Sequence, residues 1–141
     1  MGRVKLALPD AFHFTTEIPL RVTDINYGGH LGNDAILSLA QEARARLFAS
    51  HGFTELDVDG VGTLMVDAVV VFRSEAFYGE TIVADVAVCD FSRIGCDFVF
   101  GLSEKSDGRE VARVKTGITF LDYSTRKIQP VPEKFKRIFE D

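Results

Sequence analysis

The stretch "RVTDINYGGHLGNDAILSLAQEARARLFAS", residues 21–50, decides the fold. Its first half crowds Asp24, Asn26, His30, Asn33 and Asp34 into eleven positions, with Gly28, Gly29 and Gly32 between them. Hydrogen-bonding side chains set among glycines suit a reaction centre, because a residue without Cβ lets a ligand approach the backbone. The second half, from Asp34 to Ser50, reads as a helix. Ile36, Ala40, Ala43 and Leu47 form one apolar stripe at helical spacing, widened by Leu37 and Leu39. Asn33 is expected to cap the helix, its side chain accepting free N–H groups of the first turn. Gly52 is expected to stop it, with His51 in the last turn at the negative end of the dipole.

Working outward, residues 13–23 ("HFTTEIPLRVT") alternate and carry β-branched positions, so they read as a strand. Beyond the helix and a loop, strand-like runs cover 63–73, 80–90, 95–104 and 110–122. "FYGE" at 77–80, "SRIG" at 92–95 and "SDG" at 106–108 supply the turns between them. The tail from Ser124 is polar and mixed, with a short helix expected from Glu133. One strand, one long helix, then four strands is an α+β order: an antiparallel sheet of about five strands wrapped around one long helix. The chain reads as a single domain, 1–141, with its core over about 14–123. The runs at 63–73 and 80–90 are apolar on both faces. One face can cover the helix, and the other then calls for a partner subunit.

The 141 residues are 46% hydrophobic and 26% charged, which is ordinary for a globular domain able to bury a core. Acids outnumber bases, giving a net charge of -5, whereas a nucleic-acid binder is normally basic. No apolar run reaches the length of a membrane span. "MGRVKLALPDAFHF" is too short in apolar residues, and too interrupted at Pro9-Asp10, for a signal peptide. Cys89 and Cys96 lie in apolar strand-like runs and read as buried free thiols. A cytoplasmic location is the expectation. The three His and two Cys show no metal-ligand spacing, and neither a phosphate loop nor a G-x-S-x-G elbow is present.

"RVTDINYGGHLGND" followed by "LSLAQEARARLF" resembles the hotdog-fold acyl-CoA thioesterases, in the hydroxybenzoyl-CoA and long-chain acyl-CoA branch. Members carry R-Y-x-D-T-D-x-x-G-H-V-N-N and then a helix containing E-E-A-R. The matching positions are Arg21, Asp24, Gly29, His30 and Asn33, then Glu42, Ala43 and Arg44. "FYGE" and the ending "FLDYSTRKIQPVPE" match as well, so the resemblance runs over roughly 14–133. It implies a hotdog fold, hydrolysis of an acyl-CoA or acyl-carrier-protein thioester, and a homodimer or homotetramer. No separate cofactor is implied, because CoA is part of the substrate. One position departs. The family's usual catalytic carboxylate, the second Asp of D-x-D, is Asn26 here, and an amide can neither attack nor take a proton from water.

Thioester hydrolysis needs a group that activates water and donors for the oxyanion. The helix start offers donors, and the resemblance implies that a backbone N–H near Asn33 polarises the thioester. The catalytic set expected is Asn26, His30, Asn33, Asp34 and Glu42, supported by Asp24, Gly29, Gly32 and Asp67. Asp34, Ser38 and Glu42 are spaced along one helix edge. The helix dipole explains Asp34 equally well, and an ion pair with Arg46 explains Glu42. An imidazole such as His30 can act on water or hold the turn. Asp24 is expected to bond turn N–H groups as an Asx-turn does. Asp67 is the only charge in "LMVDAVVVF". Plant acyl-carrier-protein thioesterases, which this chain also resembles, use a strand Glu near there, while a structural ion pair is the simpler role. Arg73, Arg93, Lys115 and Arg126 are available for CoA phosphates. Two other functions remain open: a hotdog enoyl-CoA hydratase, whose D-x-N-P-[IL]-H motif Asp24-x-Asn26 partly matches, and a non-catalytic acyl-thioester binder.

Overall fold

The computed structural model describes residues 1–140. In chain order it contains β1 (Phe14–Pro19), one 3-10 turn (Val22–Asp24), α1 (Ala35–Ser50), β2 (Gly62–Phe72), β3 (Thr81–Cys89), β4 (Gly95–Glu104), β5 (Glu110–Asp122), β6 (Lys127–Gln129) and α2 (Glu133–Phe139). All strand pairs are antiparallel, and the sheet order is β1-β3-β4-β5-β2 with β6 beside β5. β4 begins at Gly95, opposite Thr119. β6 then takes the place beside Phe120, Leu121 and Asp122. β1 and β2 lie at opposite edges, so the chain must cross the whole sheet between them, and α1 is the element that makes the crossing.

The α1 stripe closes this architecture. Ile36, Leu39, Ala40, Ala43, Leu47 and Phe48 are buried in one core with Ile82, Ala84 and Val86 of β3, Phe98 and Phe100 of β4, and Val114 and Phe120 of β5. Ala40 and Ala43 are fully buried, and their small side chains let the helix lie close to the sheet. The helix ends as expected at Gly52, which adopts φ +78°. The Gly52 and Phe53 N–H groups donate to the carbonyls of Ala49 and Phe48 at 3.0 and 2.8 Å, satisfying the last turn. His51 is the residue that closes the helix, its ring edge-on to Phe139 at 5.2 Å.

Three local expectations are corrected. Asn33 is not the cap: Asp34 precedes the helix in αR backbone and makes no side-chain capping bond. The strand expected over 13–23 stops at Pro19, because the chain turns into the 3-10 turn at Val22. The core also runs past residue 123. Phe135 of α2 is fully buried, with Phe48, Phe53, Phe91, Phe98, Phe120 and Phe139 around its ring at 4.8–6.3 Å. Periodicity cannot register a single Phe that plugs one end of a curved sheet.

The outer face of the sheet is partly covered by the chain's own start. The Arg113 guanidinium donates to the Leu6 carbonyl at 2.9 Å, and Leu8 lies so close to Gly101 that a Cβ there would meet its Cδ1 at 3.3 Å. On β2 this segment reaches only the far end, where residues 3–7 and Val71 line one groove. Leu64, Met65, Val66 and Phe72 are exposed on this edge strand.

Candidate active site

The turn between β1 and α1 is built from its own polar groups. Asp24 is buried, and its Oδ2 accepts the Arg21 N–H at 2.8 Å. Its carbonyl accepts the Gly32 N–H at 3.0 Å. Asp24 therefore holds the base of the turn, by bonding back to Arg21 instead of forming the expected Asx-turn. Asn26 forms that turn: its Oδ1 accepts the Gly28 N–H at 2.9 Å. Its backbone N–H donates to the His30 carbonyl at 2.9 Å, and Gly29, at φ +85°, reverses the chain between them. The Leu31 N–H donates to the Ala76 carbonyl at 2.7 Å, which fastens the turn to the loop after β2.

Two glycines keep the turn open. A Cβ on Gly28 would meet Asn26 Oδ1 at 3.2 Å and His30 Nε2 at 3.5 Å, so amide and imidazole flank the same small space. A Cβ on Gly32 would meet Asp34 Oδ1 at 2.7 Å and the Asn26 Cβ at 3.6 Å. Asn26 thus borders both spaces, with His30 beside Gly28 and Asp34 beside Gly32. His30 Nδ1 lies 3.1 Å from the Leu31 carbonyl. A carbonyl only accepts, so Nδ1 carries the proton and Nε2 of the neutral ring is the acceptor. Among the described residues the N–H groups of Asn33 and Asp34 make no hydrogen bond. They stand unspent at the positive end of the α1 dipole.

Other expected members lie elsewhere. Glu42 is two turns along α1, about 12 Å from Asp34 at 1.5 Å per residue, and pairs with Arg46 at 2.7 Å. Arg46 in turn donates to Thr16 Oγ1 and the Glu17 carbonyl, tying helix to β1. Glu42 still lines a groove of about 280 Å³ together with Asp24 and Ser38. Asp67 faces out from β2, bonded to Lys115 Nζ at 2.8 Å and the Gly117 N–H at 2.9 Å. The Lys115 hydrogen bond holds its carboxyl below the usual range. Within this chain it forms an ion pair with Lys115. Of the cations considered for phosphates, Lys115 pairs with Asp67 and Arg73 with Glu110 at 3.5 Å, and Arg73 also lines a groove of about 220 Å³ with His30 and Asn33.

Burial pushes the Cys89 thiol up to about 11 and raises Cys96 further, so neither is a thiolate at neutral pH. No three His, Cys, Asp or Glu side chains among the described residues are arranged to hold a metal. No helix among them is long and apolar enough to cross a membrane.

Residues 20–139 match the family model of the thioesterase-like superfamily. The chain belongs to that superfamily. The match takes in the motif turn, α1 and every strand after it. No curated protein matches. Solved structures agree on the fold. A 1,4-dihydroxy-2-naphthoyl-CoA thioesterase from Synechocystis superposes with a TM-score of 0.82 at 19% identity, over 91% of this chain and 96% of its own. A DHNA-CoA thioesterase from Staphylococcus aureus gives 0.73 at 19% identity, over 87% and 80%. SAV2348 from Staphylococcus aureus, in complex with CoA, gives 0.80 at 16% identity, over 95% and 85%. At these identities the likeness establishes the hotdog fold expected from the motif.

Sequence reasoning missed one feature of this superfamily member. Arg44 is 4% exposed, its Nε donating to Glu55 Oε1 at 2.5 Å and its Nη1 to Thr116 Oγ1 at 3.3 Å. It lines a groove of about 310 Å³ between α1 and the ends of β2 and β5. Its signals in the sequence were its place in the motif match and its position one residue after Ala43 of the stripe.

Proposed function

We propose that this chain is a thioester hydrolase acting on acyl-CoA or acyl-carrier-protein substrates, working as a homo-oligomer. The observation that carries the reading is the space over Gly28. Asn26 and His30 Nε2 flank it, beside unspent N–H groups before α1. The acyl carbonyl oxygen would accept from the Asn33 and Asp34 N–H groups, which stabilise the oxyanion. Water attacks the carbonyl carbon, and His30 Nε2 takes its proton. The carbon–sulfur bond then breaks, and that proton passes to the departing thiolate. Asn26 Oδ1 is engaged by Gly28, so Nδ2 is its free end, suited to orienting the water. In this scheme Asn26 replaces the missing carboxylate as a positioning group, and the base moves to His30.

Assembly follows from β2. Its one strand neighbour is β5, and its exposed Leu64, Met65, Val66 and Phe72 leave an apolar edge with unpaired backbone groups. A second copy docking there would cover them and wall the groove beside α1. The hydratase reading loses support, because the Asp24 carboxylate is buried and engaged by the Arg21 N–H.

The test is thiol release from short, long and aromatic acyl-CoA esters, trapped with a thiol reagent. Wild type is expected to release CoA. His30→Ala should lose about 100-fold or more, and Asp34→Ala and Glu42→Ala less. Loss in Asp34→Ala alone would move the base to that carboxylate. Release from no ester would sink the hydrolase reading and leave the binder.

A further inference from the structure

The outer face of the sheet carries a groove of about 430 Å³ that the proposed chemistry does not use. Residues 3–7 form one wall, and Val71, Arg73 and Arg113 at the ends of β2 and β5 form the other. Ala112 and Val114 turn into the core, so Arg113 between them points outward, opposite Val71 in the strand register. Four cations, Arg3, Lys5, Arg73 and Arg113, therefore line one concave surface, and no acidic side chain lines it. The chain as a whole carries 21 acids to 16 bases, so average composition does not account for this. Glu110 offsets two of the four, pairing with Arg73 at 3.5 Å and with Arg113. Arg113 also donates from Nη1 to the Leu6 carbonyl at 2.9 Å, which holds the segment against the sheet. Among the described residues Arg3 and Lys5, both exposed, form no ion pair.

Like charges around one cavity repel each other and focus a positive potential into it. The four cations against one shared carboxylate leave an excess that a single carboxylate ligand would not meet. A nucleic acid would need a longer basic track, and the net charge of -5 opposes it. Phosphate groups fit, because guanidinium forks bind them in bidentate pairs and each brings about two negative charges. Val4, Ala7 and Val71 give an apolar wall for the body that carries the phosphates. The volume falls within the roughly 300–1,000 Å³ of small-molecule sites. The groove is separate from the reacting turn: α1 and Leu31 pack on the other face of the sheet, and only Arg73 also lines the groove of His30 and Asn33. Nor does the superfamily frame supply it, since residues 3–7 precede residue 20, where the family match begins. We propose that this groove binds a multiply charged organic phosphate, brought either by a soluble nucleoside diphosphate or by the headgroup of an acidic lipid. The proposal stands whether or not the chain is a hydrolase.

Calorimetric titration with ADP and with pyrophosphate reads the soluble source. Cosedimentation with vesicles of phosphatidylcholine, with and without phosphatidic acid, reads the lipid source. Wild type is expected to bind at least one of these phosphate probes. Arg3→Gln combined with Lys5→Gln should weaken that binding by about tenfold or more, because charge-assisted hydrogen bonds are lost. Arg73→Gln, on the opposite wall, should weaken it too. Arg3 and Lys5 are exposed, so the double variant should keep the wild-type Tm. Lys127→Gln combined with Arg137→Gln removes the same charge from β6 and α2, neither of which lines the groove, and should leave Kd unchanged. Binding of ADP or pyrophosphate alone would assign the soluble source, and binding of the phosphatidic acid vesicles alone the lipid source. No binding of any phosphate probe by wild type would overturn the proposal. So would binding that survives the Arg3 and Lys5 substitutions, or that the Lys127 and Arg137 substitutions weaken equally.

Discussion

Gly28→Ala separates the space at the turn from the stability of the turn. Gly28 has no positive φ, so alanine fits its backbone. Removing glycine lowers the entropy of the unfolded chain and stabilises by about 0.4–1 kcal/mol. The new methyl would sit 3.2 Å from Asn26 Oδ1 and 3.5 Å from His30 Nε2, both on side chains able to shift by a few tenths of an ångström. That crowding offsets a gain of the same size, so Tm should move by less than about 5 °C. Activity should respond differently. An oxygen giving its proton to Nε2 must lie about 2.6–3.2 Å from it, and the methyl fills that position. Displacing a reacting group by about 1 Å costs roughly 100-fold, about 2.7 kcal/mol of barrier. The assay pairs thermal unfolding with thiol release on the best ester. Gly29→Ala is the converse perturbation. Its φ of +85° strains any other residue, while a Cβ there meets nothing within 4 Å. It should lose about 1–2 kcal/mol of stability and less activity than Gly28→Ala. Wild-type kcat/KM in Gly28→Ala would refute the placement of the chemistry over Gly28, and a stability loss beyond about 2 kcal/mol would refute the packing argument.

Phe135→Ala should cost about 3–5 kcal/mol in denaturant unfolding, because this fully buried ring joins α2 to Phe48, Phe98 and Phe120. Val66→Lys on the exposed edge of β2 should shift the oligomer toward monomer in sedimentation, and an unchanged mass would place the interface elsewhere. Asp67→Asn should remove less than about 1 kcal/mol, since the pair with Lys115 is largely solvated. The sign follows from the lowered pKa: the wild-type contribution is present at neutral pH and fades as pH falls through the folded-state value, below the usual carboxylate range. Unfolding curves of wild type and Asp67→Asn should therefore converge in acid, and a gap that widens there would contradict the ion pair.

The sequence by itself determined what is local. Strand-like apolar runs bounded by turn residues marked the strands at 95–104 and 110–122, and the Ile36–Leu47 stripe with Gly52 marked α1, because such signals act over a few residues. The motif turn was legible for the same reason: Asn26, Gly28, His30, Gly32 and Asp34 are neighbours in the chain before they are neighbours in space. Local signals were less complete where several groups could take the same bond. Asp24 bonds back to Arg21 and Asn26 takes the Asx-turn, a choice between two neighbouring acceptors that residue type does not settle. Glu42 pairs with Arg46 one turn along the same helix, as its spacing suggested, whereas the partner of Asp67 is Lys115 on β5. Only the tertiary structure could put Arg44 beside Glu55 and Thr116, 11 and 72 residues away along the chain. A helix pattern says which face is apolar, but the sheet beneath decides which charge on its border is buried and what it is left to bind.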